Sequence, residues 1–196
     1  MTKSVYLVLD MQNELVHADG PAAKGPMGAL LKARRTIENT QLAIERARAA
    51  GVAIGFVRVG FSEDYHECPV NSPLFGGAPK AGMFKLGTWG TEIHPALEQR
   101  PGDIQVVKHR VSPFYSTTLM AQLSAAGIRR IFCSGVSTQA VVQATVRDSH
   151  DRDFEVVVIE DACCAHSEQE HQNSIQSISR FCTIEKAASV SFAPYH

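Results

Sequence analysis

The sequence predicts an α/β fold of three layers, doubly wound around a six-stranded parallel sheet. Six short, β-rich apolar runs punctuate the chain, and helical patterns separate several of them. The longer runs are apolar throughout instead of alternating. Strands covered on both faces read this way, whereas a one-sided sheet alternates apolar and polar residues. Right-handed crossovers then place helices on both faces, which is a Rossmann-like arrangement.

The first strand is residues 5–9, Val5-Tyr6-Leu7-Val8-Leu9. A helix is expected over residues 27–50. There Leu30, Ile37 and Ile44 recur every seven residues, flanked by Ala33, Thr40 and Ala47, which makes one apolar face. Gly51 ends it. Further strands are read at 52–57, 104–107, 131–133, 154–159 and 182–185, with helices at 138–150 and 168–180. Residues 60–90 are the one long irregular stretch, rich in Gly and Pro, with Phe75, Phe84 and Trp89 dispersed through it. A loop of that length is usually functional or an interaction arm. No repeat, low-complexity tract or second domain appears, so residues 1–196 are expected to form a single domain.

Charge and cysteine content narrow the function classes. Lys and Arg total 19 against 20 Asp and Glu, so the chain has no basic footprint and nucleic acid is not expected as a partner. No apolar run approaches the roughly 18 residues of a membrane-spanning helix. The N-terminus enters a strand almost at once and does not read as a signal peptide. The five cysteines are odd in number and form no C-x-x-C, so a disulfide framework is not expected and a cytoplasmic location is. Cys133, Cys163 and Cys164 read as small buried residues.

In open parallel sheets, ligands bind beyond the carboxyl ends of the strands. Asp10, Lys108 and the turn Gly135-Val136-Ser137-Thr138 all fall at such ends. A carboxylate beside an ammonium has both pKa values displaced, which suits proton transfer. Trp89 and Phe114 are candidates for an apolar pocket lining, with Phe75 and Tyr115 behind them. Arg58 and Arg110, near strand ends, could meet a substrate carboxylate, though a solvated role is the simpler reading.

These pieces resemble the isochorismatase-like superfamily, also called the cysteine hydrolase family, which includes nicotinamidases and N-carbamoyl amidohydrolases. The matching segments run Leu7-Val8-Leu9-Asp10-Met11-Gln12-Asn13-Glu14, Ile93-His94-Pro95-Ala96-Leu97, Pro101-Gly102-Asp103 through Val107-Lys108, Ser112-Pro113-Phe114, Thr118-Leu119, Gly135-Val136-Ser137-Thr138 and Glu160-Asp161-Ala162. The resemblance implies a six-stranded parallel sheet, Asp10 as acid/base and Lys108 as charge stabiliser. It also implies a cis peptide between Val136 and Ser137, in a region that polarises the substrate.

One position departs from the pattern. Family cysteine hydrolases read Gly-Val-x-Thr-x-x-Cys-Val, and here the string is Gly135-Val136-Ser137-Thr138-Gln139-Ala140-Val141-Val142. Val141 stands where the resemblance places the nucleophile, and an isopropyl group cannot attack a carbonyl. Isochorismatases proper also lack the cysteine; there an aspartic acid protonates a vinyl ether and water attacks the cation. They carry glycine at this position, so the bulkier Val141 narrows the pocket. Nicotinamidases hold a metal with Asp-x-His and a further His. Here Asp64-Tyr65-His66 is followed by no His until His94, and an exposed loop is the better reading.

The expectation is therefore a hydrolase of a small molecule, cyclic or carboxylated, working through Asp10 and Lys108 without a thiol, a metal or a cofactor. Relatives form dimers and tetramers, so a homodimer or homotetramer is expected, with residues 60–90 as a long loop or an oligomerisation arm. The alternative is a non-catalytic ligand-binding or assembly protein on the same fold.

Overall fold

The computed structural model describes residues 3–193. Strand β1 (Lys3–Leu9) has no exposed side chain from Ser4 onward. It must be covered on both faces and both edges, and it lies at the centre of the sheet. Its neighbours are β2 (Ala53–Val59) and β4 (Ile128–Gly135). With β3 (Ile104–Lys108), β5 (Glu155–Ile159) and β6 (Thr183–Glu185), the order is β3-β2-β1-β4-β5-β6, and every pairing is parallel. The predicted six-stranded parallel sheet is present.

The two-residue period of a strand divides the apolar runs between two cores. Tyr6 and Val8 of β1 join Phe56, Phe132 and Val157 on one face. That face is covered by α2 (Pro26–Ala33), α3 (Thr36–Ala49) and the C-terminal Val190 and Phe192. Val5, Leu7 and Leu9 join Val57, Ile131 and Val158 on the other. There α5 (Leu119–Ala126), α6 (Gln143–His150) and α7 (Glu168–Ile178) pack. The Tyr6 hydroxyl, buried beneath the first layer, is satisfied by Ser134 Oγ at 2.6 Å. Short turns of helix, α1 (Asn13–Val16) and α4 (Ala78–Ala81), lie in the connections. No helix among the described residues is long and apolar enough to cross a membrane.

Two helical expectations are corrected. The single helix over 27–50 is broken into α2 and α3, because Arg35 adopts a left-handed conformation at φ 54°. The break turns Arg34 out of the helical row, so that its guanidinium reaches Glu160, Glu168 and the Cys163 carbonyl. The heptad spacing of Leu30, Ile37 and Ile44 survives the break, and for that reason periodicity alone did not reveal it. Helix α5 was not expected. Its buried face consists of only Leu119 and Leu123, too short a pattern to register.

The strand order reverses between β1 and β4, which opens a crevice at their carboxyl ends. Replacing the exposed Arg35 tests the helix break. An L-residue in the left-handed region is strained by roughly 1–2 kcal/mol, a strain glycine does not share. Arg35→Gly is expected to raise stability by about 0.5–1 kcal/mol in urea unfolding. In a continuous helix the same change would lower it by about 1 kcal/mol.

Candidate active site

The end of β1 turns sharply. Asp10 has φ 55°, and its N–H donates to the Val57 carbonyl at 2.8 Å. Gln12 then closes the end of β2: its side-chain oxygen accepts the Val59 N–H and its amide nitrogen donates to the Val59 carbonyl, both at 3.0 Å. Lys108 is the last residue of β3, two strands away. Its ammonium spans that distance to meet Asp10 Oδ2 at 2.8 Å, with both side chains buried. It also donates to the Arg110 carbonyl at 3.1 Å. Burial pushes the Asp10 carboxyl above its ordinary value, and Lys108, with the Val59 backbone as a weaker aid, opposes that shift. Asp10 Oδ1 accepts no hydrogen bond among the described residues.

From the other side comes the turn after β4. Gly135 has φ 148°, and a Cβ there would lie 2.0 Å from the Leu9 carbonyl oxygen, so only glycine lets β4 end against β1. The Val136–Ser137 peptide is cis. Main-chain bonds from Val136 N–H to Leu9 and from Thr138 N–H to Cys164 secure the turn. A second tie runs inward from Thr138 Oγ1 to His171 Nδ1 at 2.9 Å, and the fully buried His171 ring faces the Glu160 carboxylate at 3.3 Å. Hydrogen bonds from His171 and Arg34 hold the Glu160 carboxyl below its ordinary value. The expected helix at 138–150 begins as a π-helical turn, Thr138–Val142, before continuing as α6. Val141 sits on that turn, 2% exposed.

These elements enclose a cavity of about 290 Å³. Asp10, Lys108, Val136, Ser137 and Val141 all line it. So do Phe75 and Phe84 of the 60–90 segment, which folds back over its own chain through the Phe61, Cys68 and Phe75 cluster. The buried carboxylate of Glu14 accepts the Phe84 N–H at 3.0 Å and fastens this wall.

Neither Trp89 nor Phe114 lines the cavity. Trp89 lies in a short turn beside α1, half-exposed, with its ring edge-on to His17 at 5.1 Å. Phe114 is drawn into the core beneath α5, stacked on Phe154 at 6.2 Å with Arg152 over its ring. Tyr115 is exposed on the surface. Arg58 donates to the Thr91 carbonyl, and Arg110 to the carbonyls of Glu67 and His109. Asp64 and His66 are exposed and pair with one another. Among the described residues, no group of three His, Cys, Asp or Glu is placed to hold a metal ion.

Sequence reasoning missed His166, at the cavity mouth, where Nδ1 lies 2.8 Å from the Gln139 amide. It also missed Met27 and Met83 in the apolar wall. No spacing signal marks these residues, which come together only through folding. Cys133 is fully buried outside the cavity, and burial pushes its thiol well above the ordinary value. Burial likewise raises Cys163 to about 12 and Cys164 to about 11.

The chain is a three-layer α/β scaffold with a small-molecule-sized cavity beyond the carboxyl ends of its strands. The isochorismatase domain model matches residues 4–189, and the chain belongs to the isochorismatase family. It is 34% identical over 176 residues to the isochorismatase family protein YecD of Escherichia coli O157:H7, covering 89% of this chain and 87% of that protein. It is 31% identical to the ureidoacrylate amidohydrolase RutB of Methylorubrum extorquens, over 81% of this chain and 68% of the relative. The crystal structure of an isochorismatase family protein from Desulfovibrio vulgaris superposes with a TM-score of 0.85 at 24% identity, covering 96% of each chain.

A double-mutant cycle measures the buried pair. Removing one member strands the other without a counter-charge, at a cost of about 3–5 kcal/mol. Lys108→Met alone is expected to destabilise by that amount in urea unfolding. Asp10→Asn combined with Lys108→Met is expected to cost clearly less than the sum of the single changes. Simple additivity would show that the two groups are not coupled.

Proposed function

We propose that this chain hydrolyses a small molecule, cyclic or carboxylated, by acid–base chemistry of Asp10 and Lys108 without a thiol nucleophile. The observation that carries the reading is the buried Asp10–Lys108 pair in the cavity wall, with Val141 beside it in place of a nucleophile. Asp10 transfers the proton. Lys108 stabilises developing negative charge, and the backbone at Val136–Ser137 polarises the substrate. With a vinyl ether, protonated Asp10 gives its proton to the terminal carbon. Water adds to the resulting oxocarbenium carbon and returns a proton to the Asp10 carboxylate, and the hemiketal then breaks into a ketone and an alcohol. With an acyl substrate, Asp10 instead takes the proton of attacking water and passes it to the leaving group.

The kinship with a ureidoacrylate amidohydrolase makes ureido acids the first compounds to assay, with enol ethers beside them. Product formation followed by mass spectrometry is expected for at least one class. Asp10→Asn should lower kcat/KM by about 10²–10⁴. Treatment with iodoacetamide should leave the rate unchanged; inactivation traced to Cys133 would overturn the reading. A compound bound for hours and recovered intact, with no turnover of any class, would favour a binding protein, the reading that the buried isopropyl group of Val141 supports.

The pH profile distinguishes the two proton roles. Burial raises the Asp10 pKa, so its protonated form persists above the usual carboxylate range. Acting as an acid, Asp10 loses activity as pH rises through that raised value. Acting as a base, it loses activity as pH falls through it. A profile flat across the range would remove Asp10 from the chemistry.

Oligomerisation belongs to the same reading. Val70 and Leu74 of the 60–90 segment are large apolar side chains left exposed, 71% and 58%, and Leu74 also lines the cavity. A second copy covering them would complete the mouth of the site. Light scattering is expected to give a dimer or tetramer mass, and a monomer mass at all concentrations would exclude this assembly.

A further inference from the structure

The polar side chains of the cavity wall are few. Among the described residues they are Asp10, Lys108, Ser137 and His166, and the remainder of the lining is apolar. No arginine is among them: Arg34 is committed to Glu160 and Glu168, and Arg58 and Arg110 to main-chain carbonyls. His166 is well exposed at the mouth, where a bound anion would keep much of its water.

We infer that this cavity selects an uncharged, largely apolar molecule that carries one hydrogen-bond donor and one acceptor, and that it turns carboxylates away. The inference rests on the reading of the cavity as the substrate site and narrows it, choosing against the carboxylated alternative. Its basis is the inventory of hydrogen bonds around the buried pair. An ammonium has three N–H groups. Lys108 gives one to Asp10 and one to the Arg110 carbonyl, which leaves one for a ligand acceptor. Asp10 Oδ1 lacks a donor, so while the carboxylate is ionised the ligand must also present an N–H or O–H.

A neutral amide or alcohol answers both needs from a single group. A carboxylate brings only acceptors. To reach Lys108 it would have to face the Asp10 carboxylate, and two like charges at such a site do not both stay ionised, so one of them must take up a proton. Burying the anion without its own cation costs several kcal/mol. The volume of about 290 Å³ lies at the small end of ligand pockets, which suits a small molecule.

The test needs no turnover. The protein is labelled with ¹³C at its methionine methyl groups, because Met27 and Met83 line the cavity while Met120 lies elsewhere on the surface. Benzamide, benzyl alcohol and benzoate are titrated separately at pH 8. Benzamide and benzyl alcohol are expected to shift the Met27 and Met83 signals and leave Met120 still. Benzoate should need a concentration about tenfold higher or more to do the same, a difference of at least about 1.4 kcal/mol. Benzoate saturating these signals at an equal or lower concentration overturns the inference, and so does a titration in which none of the three compounds moves them. The two readings fail separately. Benzoate competing with a substrate that is hydrolysed would sink the selectivity and leave the hydrolase standing. Neutral probes seated in the cavity, with every hydrolysis assay blank, would do the reverse.

Discussion

Taking a carboxylate and an ammonium out of water costs several kcal/mol per ion, and a contact such as Asp10–Lys108 offsets that cost only when the geometry is good and the remaining donors are satisfied. The arrangement of the sheet's carboxyl edge follows from this requirement. Lys108 ends β3 and Asp10 follows β1, so the pair spans the end of the intervening strand β2. Gln12 closes it by taking both polar groups of Val59. The Arg110 carbonyl then supplies a second acceptor for Lys108.

The opposite wall is built to the same tolerance by different means. Gly135 brings β4 against Leu9 at a distance no side chain could share. The turn beyond it is tied through Thr138 and His171 to the Glu160–Arg34 cluster. Arg34 can serve there because the chain breaks at Arg35, so a distant helix interruption and a turn in the site are parts of one construction. Val141 adds apolar surface to the wall. The five cysteines are either buried or outside the cavity lining, and burial raises the thiols of Cys133, Cys163 and Cys164.

The irregular segment at 60–90 stands apart from the sheet yet decides the shape of the cavity. Its aromatic cluster holds it together, and the Glu14 carboxylate anchors it at Phe84. Glu14 is itself raised above its ordinary value by burial, with the Phe84 N–H and Gln12 opposing that shift. Gln12 and Glu14 therefore couple the closure of β2 to the position of the loop, through the 2.9 Å bond between their side chains.

Much of this was legible in the chain. Continuous apolar runs can persist only in strands covered on both faces, so residues 5–9 and 154–159 declared a buried parallel sheet, and the rule that sites lie beyond carboxyl ends drew attention to Asp10 and Lys108. The motif around Gly135 marked the third wall, where Val136, Ser137 and Val141 line the cavity. Other features had no local signal. Helix α5 buries too few residues to show a period, and the break at Arg35 leaves the heptad spacing undisturbed. Trp89 and Phe114 carry the composition of a pocket lining, but the fold turns one to the surface and the other into the core. His166, Met27 and Met83 meet in one wall from distant parts of the chain. Periodicity and strand ends are properties of neighbouring residues, and so the sequence by itself determined the scaffold and its polar edge. Which side chains face a shared space depends on how separate elements pack, and that only the tertiary structure decided.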